Sequence, residues 1–208
     1  PPLVKEILEN YGWLAPEGRQ SRIETLATLP DAAGVSALCR IVRFEQTNEV
    51  SKQAALAILG MYPADETPSP EVIRTIRQTL HGSRRPGAHW LLTWAEKGNN
   101  PAALVEDFAR FIDEEQASLK RPAFPANTDT LAALLRFQVA WLERLDQREQ
   151  AIGAMRRLLA LEEGEIDDLR KLFHWLIDQK AWSLVDELVA RFDGQIRRVP
   201  VLLYLLAE

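Results

Sequence analysis

The sequence contains little of what marks secreted, disulfide-bonded or membrane-spanning proteins. Its 208 residues include one cysteine, so no internal disulfide can form. That is compatible with a reducing compartment without establishing one. No apolar run approaches the roughly 20 residues that a helix needs to span a bilayer. No charged segment followed by an apolar one marks a signal peptide. We therefore expect no membrane segment here, and the localisation stays unknown, with the cytoplasm only slightly favoured.

Catalytic and metal-binding patterns are also missing. The sequence has no H-E-x-x-H, no cysteine pair, no glycine-rich phosphate loop and no G-x-S-x-G. The three histidines, His81, His89 and His174, are too few and too separated to suggest a zinc site. Cys39 falls in the apolar phase of a helix, which predicts a small buried side chain rather than a reactive thiol. We expect no enzyme activity, no metal and no cofactor within these residues.

Strand signals are nearly absent, and helical spacing takes their place. Apolar residues recur at i, i+3, i+4 and i+7, as in the stripe formed by Val72, Ile73, Ile76 and Leu80. Prolines and glycines fall between such stripes, where helices begin and end. Ser21 and Thr128 stand where N-caps are expected. The pattern predicts an all-α protein of about eleven or twelve helices, stacked as antiparallel hairpins in an α-solenoid.

The segment NEVSKQAALAILG, residues 48–60, is rich in alanine. Alanine favours helices but buries little surface, so its abundance indicates that neighbouring helices approach closely. The segment resembles the second helix of HEAT repeats, and residues 35–44 would form the first helix of that pair. The matching residues are Val50, Ala54, Ala55, Ala57 and Ile58. The resemblance covers about residues 18–98. It implies a curved helical stack that offers a long surface to a partner, and it implies no reaction.

An internal repeat occupies the last third of the chain. LLRFQVAWL at 134–142 overlays DLRKLFHWL at 168–176 with a shift of 34 residues, which aligns Trp141 with Trp175. The paired helices that follow overlay with a shift of 33, and the segment resembles degenerate tetratricopeptide (TPR) repeats. We predict HEAT-like hairpins over 1–119, a proline-containing linker at 120–127 and TPR-like hairpins over 128–208, packed as one superhelix.

Arginines recur at a regular spacing in the HEAT-like half. Arg74 and Arg77 are i, i+3 neighbours on one helix face. Because equivalent faces line up in a stack, we predict that the arginines of successive hairpins form one ridge, which binds an acidic protein segment or a phosphate backbone. The alternative is an ordinary solvated face. Trp90 and Trp94 follow the ridge and are either core residues or an aromatic anchor beside it. The predicted ridge consists of Arg40, Arg43, Arg74, Arg77, Arg84 and Arg85.

The chain ends in an apolar segment, and it begins with two prolines rather than methionine. We expect that it is a fragment of a longer protein. We also expect the terminal segment to pack against a downstream helix or against a second copy of the chain, which would give a homodimer. The residues of this association surface are Leu202, Leu203, Tyr204 and Leu206.

The sequence favours a non-catalytic scaffold that presents its helical surface to a protein or peptide partner, with an acidic partner matching the arginines. One alternative is a nucleic-acid-binding or phosphate-binding repeat protein that uses the ridge. The net charge of −5 argues against general nucleic-acid affinity, so we consider that partner unlikely. Another alternative is a regulatory domain of a larger enzyme.

Overall fold

The computed structural model describes residues 2–29, 32–62, 64, 66–120, 128–161 and 166–198. Over these residues the chain forms eleven α-helices and one short 3-10 helix, Tyr11–Trp13, with no strand. The all-α prediction is confirmed. The helices are α1 Pro2–Leu8, α2 Pro16–Ala27, α3 Ala32–Phe44, α4 Asn48–Gly60, α5 Pro70–Leu80, α6 Pro86–Lys97, α7 Pro101–Leu119, α8 Asp129–Arg144, α9 Arg148–Leu161, α10 Ile166–Asp178 and α11 Trp182–Ile196.

Proline begins five of these helices, namely α1, α2, α5, α6 and α7. Proline suits the first turn because its fixed φ fits the helix and its missing N–H has no partner there anyway. The structure corrects the two N-caps that the sequence led us to expect. Ser21 lies inside α2, which starts earlier at Pro16. Thr128 does precede α8, but its side chain makes no capping hydrogen bond.

The first hairpins stack with equivalent helices in contact. The hairpin α3–α4 lies against the hairpin α5–α6, with α3 packed on α5 and α4 packed on α6. From α7 onward each helix packs on the next, and α8 also contacts α4. Helices therefore pack mainly on sequence neighbours, an arrangement compatible with a helical repeat.

The alanines of α4 lie where the two hairpins meet most closely. Ala54 and Ala55 are fully buried. A Cβ atom placed on Gly87 of α6 would lie 2.8 Å from the Cβ of Ala55 and 3.0 Å from the carbonyl oxygen of Ser51. Only a glycine facing small residues allows this separation between backbones. The close approach expected from the alanine-rich segment is present.

Polar side chains of α4 connect it to three other helices. The hydroxyl of Ser51 donates to the carbonyl of Val42 in α3 at 2.7 Å. The ammonium of Lys52 contacts both carboxylate oxygens of Glu115 in α7, at 2.6 and 2.8 Å, and both side chains are largely buried. Thr130 of α8 donates to the carboxylate of Glu49 at 3.1 Å. These bonds fix α4 relative to its neighbours.

Two predictions fall on residues outside the described part of the chain. The linker at 120–127 is described only at Lys120, so the division into two kinds of repeat stays a prediction. The association surface formed by Leu202, Leu203, Tyr204 and Leu206 lies wholly outside the described residues.

Enlarging either side of the contact between α4 and α6 will destabilise the fold. We expect Gly87→Ala and Ala55→Leu each to lower the free energy of unfolding by about 1–3 kcal/mol, because the added atoms overpack the contact. Gly153→Ala is the matched control: its Cβ would meet nothing within 4 Å, so this change in α9 should stabilise by up to about 1 kcal/mol. Urea unfolding measures all three. Equal stability of the Gly87 and Gly153 variants would contradict the close packing.

Cys39 will be inert to thiol reagents in the folded protein. It is fully buried, and this burial raises its pKa to about 12. Unfolded, the thiol ionises near its ordinary pKa of about 8.5. The stability associated with the buried thiol is therefore present below that pH and is lost as the pH rises toward 12. We expect slow labelling by iodoacetamide at pH 8 and fast labelling in urea; fast labelling without urea would exclude the buried placement.

Candidate functional site

A surface groove lies between α5, α6, α8 and the turn that precedes α5. Its volume is about 480 Å³. We call it the arginine groove, and define it by Arg74, Arg77, Trp94, Trp141 and Arg144, with Ile73, Ala95, Pro68 and Pro70 completing its apolar lining.

The helix α5 presents its two arginines because its opposite face is apolar. Val72, Ile76 and Leu80 are buried, which leaves Arg74 and Arg77 exposed on the other side. The guanidinium of Arg77 donates to the carbonyl of Ala95 at 2.9 Å. That carbonyl belongs to the last turn of α6, whose carbonyls have no partner within the helix. Arg77 is therefore held in place at the wall of the groove.

Arg144 comes from the more distant helix α8 and is also held. It donates to the carbonyl of Ala64, and its guanidinium carbon lies 5.0 Å from the centre of the Trp141 ring. This is a cation–π arrangement. The indole N–H of Trp141 is buried and finds no acceptor in the part of the chain that the structure describes. Arg144 is not among the residues predicted from the sequence; its only local signal is the i, i+3 spacing from Trp141.

The positive charge of the arginine groove is not neutralised internally. Arg74 makes no side-chain hydrogen bond or ion pair with any described residue, and neither Arg77 nor Arg144 pairs with a described carboxylate. Glu66 and Glu96 also line the groove, but both are exposed and form no ion pair with described residues. The groove therefore contains three arginines and two glutamates, and a carboxylate of a partner can reach the arginines.

Arginines elsewhere in the chain behave differently. Most of those beyond α6 form ion pairs with a carboxylate; they are Arg110, Arg136, Arg148, Arg156, Arg157, Arg170 and Arg197. None of the six arginines of the predicted ridge does so within the described residues. The unpaired charge is therefore concentrated in the first half of the chain.

In the structure, the six arginines of the predicted ridge do not line one groove. Only Arg74 and Arg77 share the arginine groove, while Arg40 lines a different groove beside α1. Arg43 donates to the carbonyl of Thr79 at 2.6 Å and so ties α3 to the end of α5. Arg84 is exposed and has no side-chain partner among the described residues.

Arg85 is a structural clamp. Its guanidinium donates to the carbonyl of Glu45 and to the side-chain oxygen of Asn48, the latter at 2.7 Å. It therefore fixes the turn between α3 and α4 against the start of α6, and it is only partly accessible to a partner.

The two tryptophans of α6 are core residues. Trp90 is 3% exposed and Trp94 is 2% exposed, so neither can insert into a partner as an exposed anchor. This agrees with the core alternative for both tryptophans, and their assignment as partner-binding residues stays a prediction. Trp94 packs against Tyr62 with 5.5 Å between ring centres, and it supports the wall of the arginine groove from within.

The described residues offer no cluster of three His, Cys, Asp or Glu side chains that could hold a metal ion. His89 packs edge-on against Phe111, with 5.0 Å between ring centres. In the same part of the chain, no helix has the length and apolar character needed to cross a membrane. The chemistry that the site does offer is the binding of carboxylates or other anions by guanidinium groups.

No protein-family model, curated protein or solved structure matches this chain. The HEAT-like and TPR-like assignments therefore stay predictions.

Reversing the charge at Arg85 will destabilise the fold, whereas the same change at Arg84 will not. We expect Arg85→Glu to lower the free energy of unfolding by about 2–3 kcal/mol, because charge-assisted hydrogen bonds are lost. Arg84→Glu should stay within about 0.5 kcal/mol of the wild type, as is usual for exposed positions. Urea unfolding of both variants tests this, and equal stabilities would show that Arg85 does not clamp the turn.

Proposed function

We propose that this chain is a non-catalytic helical-repeat scaffold that binds an acidic segment of a partner protein in the arginine groove. The observation that carries the proposal is the set of three arginines, Arg74, Arg77 and Arg144, which line one groove without carboxylate partners among the described residues. The HEAT-like and TPR-like hairpins form part of the proposal, supported by the sequence pattern and by the stacking of consecutive hairpins.

Arginine suits this task because its planar guanidinium can donate two parallel hydrogen bonds to one carboxylate. Arg77 and Arg144 are already held by backbone carbonyls, so little side-chain entropy remains to be lost when a ligand binds. Arg74 adds a third guanidinium, which makes no hydrogen bond or ion pair with a described residue and is therefore available to a ligand.

The apolar lining indicates that the ligand carries an apolar group as well as a negative charge. Ile73, Pro68 and the edge of Trp141 border the arginines, so a carboxylate beside an apolar side chain fits the groove better than an isolated anion. The volume lies in the range of about 300–1,000 Å³ that small-ligand sites occupy, which suits a few residues of a peptide. The overall negative charge of the chain disfavours a nucleic-acid backbone as the ligand.

The test is affinity capture from native lysate with the wild type, Arg74→Glu and Arg198→Glu as baits. Arg198 provides the control because it is exposed, has no side-chain partner among described residues and lies at the other end of the chain. We expect a discrete protein with an acidic stretch, whose affinity falls about 10–100-fold with Arg74→Glu, the equivalent of one lost charge-assisted hydrogen bond. Arg198→Glu should bind like the wild type.

Two results would contradict the proposal. A partner retained equally by all three baits would place binding outside the arginine groove. Recovery of nucleic acid alone, released as the salt concentration rises, would favour the phosphate-binding alternative, because such binding depends steeply on salt.

A further inference from the structure

Two aromatic side chains stand in solvent near the N-terminal helices. Trp13 is 91% exposed and Phe44 is 71% exposed. Aromatic side chains of this size dominate the energetics of protein interfaces when they become buried, and tryptophan is the residue most enriched at binding hot spots. A single exposed aromatic is ordinary, so exposure alone does not mark a binding surface.

The turn that carries Trp13 is rigidly braced. Arg19 donates to the carbonyls of the residues on either side of Trp13, to Gly12 at 3.1 Å and to Leu14 at 3.0 Å. The same guanidinium contacts the carboxylate of Glu45 at 2.7 Å. That buried carboxylate also accepts from the hydroxyl of Tyr11 at 3.1 Å. The backbone on both sides of Trp13 is therefore fixed, and with it the position from which the exposed side chain projects.

A groove made of two adjoining sections lies between α1 and α3 beside this turn. Its two sections, of about 580 and 330 Å³, share Leu8, Ala37 and Arg40. Phe44 and Gly12, the neighbour of Trp13, line one end of it. Because α3 contains 13 residues, the wall that it forms is about 20 Å long at 1.5 Å per residue. We call this surface the α1–α3 groove; it shares no lining residue with the arginine groove.

The charges around the α1–α3 groove favour an acidic occupant. The side chains of Arg40 and Lys5 line it and form no ion pair with described residues. Glu45 is already neutralised by Arg19, which leaves Glu9 as the one lining carboxylate that is not engaged by a described residue. An occupant with a carboxylate opposite Arg40 gains an ion pair, whereas a basic occupant meets repulsion.

We propose that the α1–α3 groove binds an amphipathic helix of a partner protein, whose apolar face covers Trp13 and Phe44 and whose acidic side chain pairs with Arg40. The groove walls are helices, and the described residues contain no strand whose edge an extended peptide could join. A wall of about 20 Å accommodates three to four helical turns at 5.4 Å each. This site is independent of the ligand proposed for the arginine groove.

The test is selection from a displayed library of 14-residue amphipathic helices, with the 208-residue chain as target. We expect the enriched peptides to carry an acidic residue. In fluorescence anisotropy they should bind Trp13→Ala at least tenfold more weakly than the wild type. Trp182→Ala removes a tryptophan that is 55% exposed on α11 and should bind like the wild type. Arg40→Glu should reverse the preference from acidic to basic peptides. Urea unfolding checks that each variant keeps its fold.

Three results would overturn the proposal. One is the failure of any helical peptide to enrich. The second is equal affinity of the enriched peptides for Trp13→Ala and the wild type. The third is concentration-dependent dimerisation in sedimentation that Trp13→Ala abolishes, which would make a second copy of the chain the occupant.

Discussion

The close approach of α4 and α6 is the constraint on which the rest of the structure depends. The backbone of α6 at Gly87 comes so near Ala55 that no side chain fits between them. This contact sets how the hairpin α5–α6 lies on the hairpin α3–α4. The arginine groove follows from that arrangement, since α5 and α6 carry most of its lining. The buried pair of Lys52 and Glu115 joins α4 to α7. The hydrogen bond from Thr130 to Glu49 joins α4 to α8.

The arginines that form no ion pair with a described carboxylate have two roles, and contact with backbone carbonyls separates them. Arg43, Arg77 and Arg85 each donate to a carbonyl near the end of another helix, where carbonyls lack helical partners. They stabilise the stacking of the hairpins. Arg40 and Arg74 make no such bond among the described residues, and their charge is available to a ligand. A side chain such as Arg77 combines both roles, because the bond that holds it also presents it to the groove.

The arginine groove was predictable only in part. The spacing of Arg74 and Arg77 places both on the exposed face of α5, and one helix suffices for that inference. Arg144 lies 67 positions beyond Arg77 in the chain, and nothing local to α8 indicates that it meets α5 and α6. The six arginines of the predicted ridge do not share one groove, because Arg40 lines a groove beside α1 and Arg43 and Arg85 donate to backbone carbonyls elsewhere in the fold. The exposure of Trp13 was not predicted either, because a tryptophan is expected to be largely buried.

The sequence by itself determined the all-α class, the approximate number of helices and the closeness of α4 to its neighbours. These depend on local periodicity, on prolines and glycines at helix ends and on small residues, all of which short windows contain. Tertiary structure alone decided which helices become neighbours, which arginine side chains are held by hydrogen bonds to backbone carbonyls and which aromatic side chains stay exposed to solvent. Such choices depend on contacts between residues far apart in the chain, and their energies are differences between competing packings that no local pattern records.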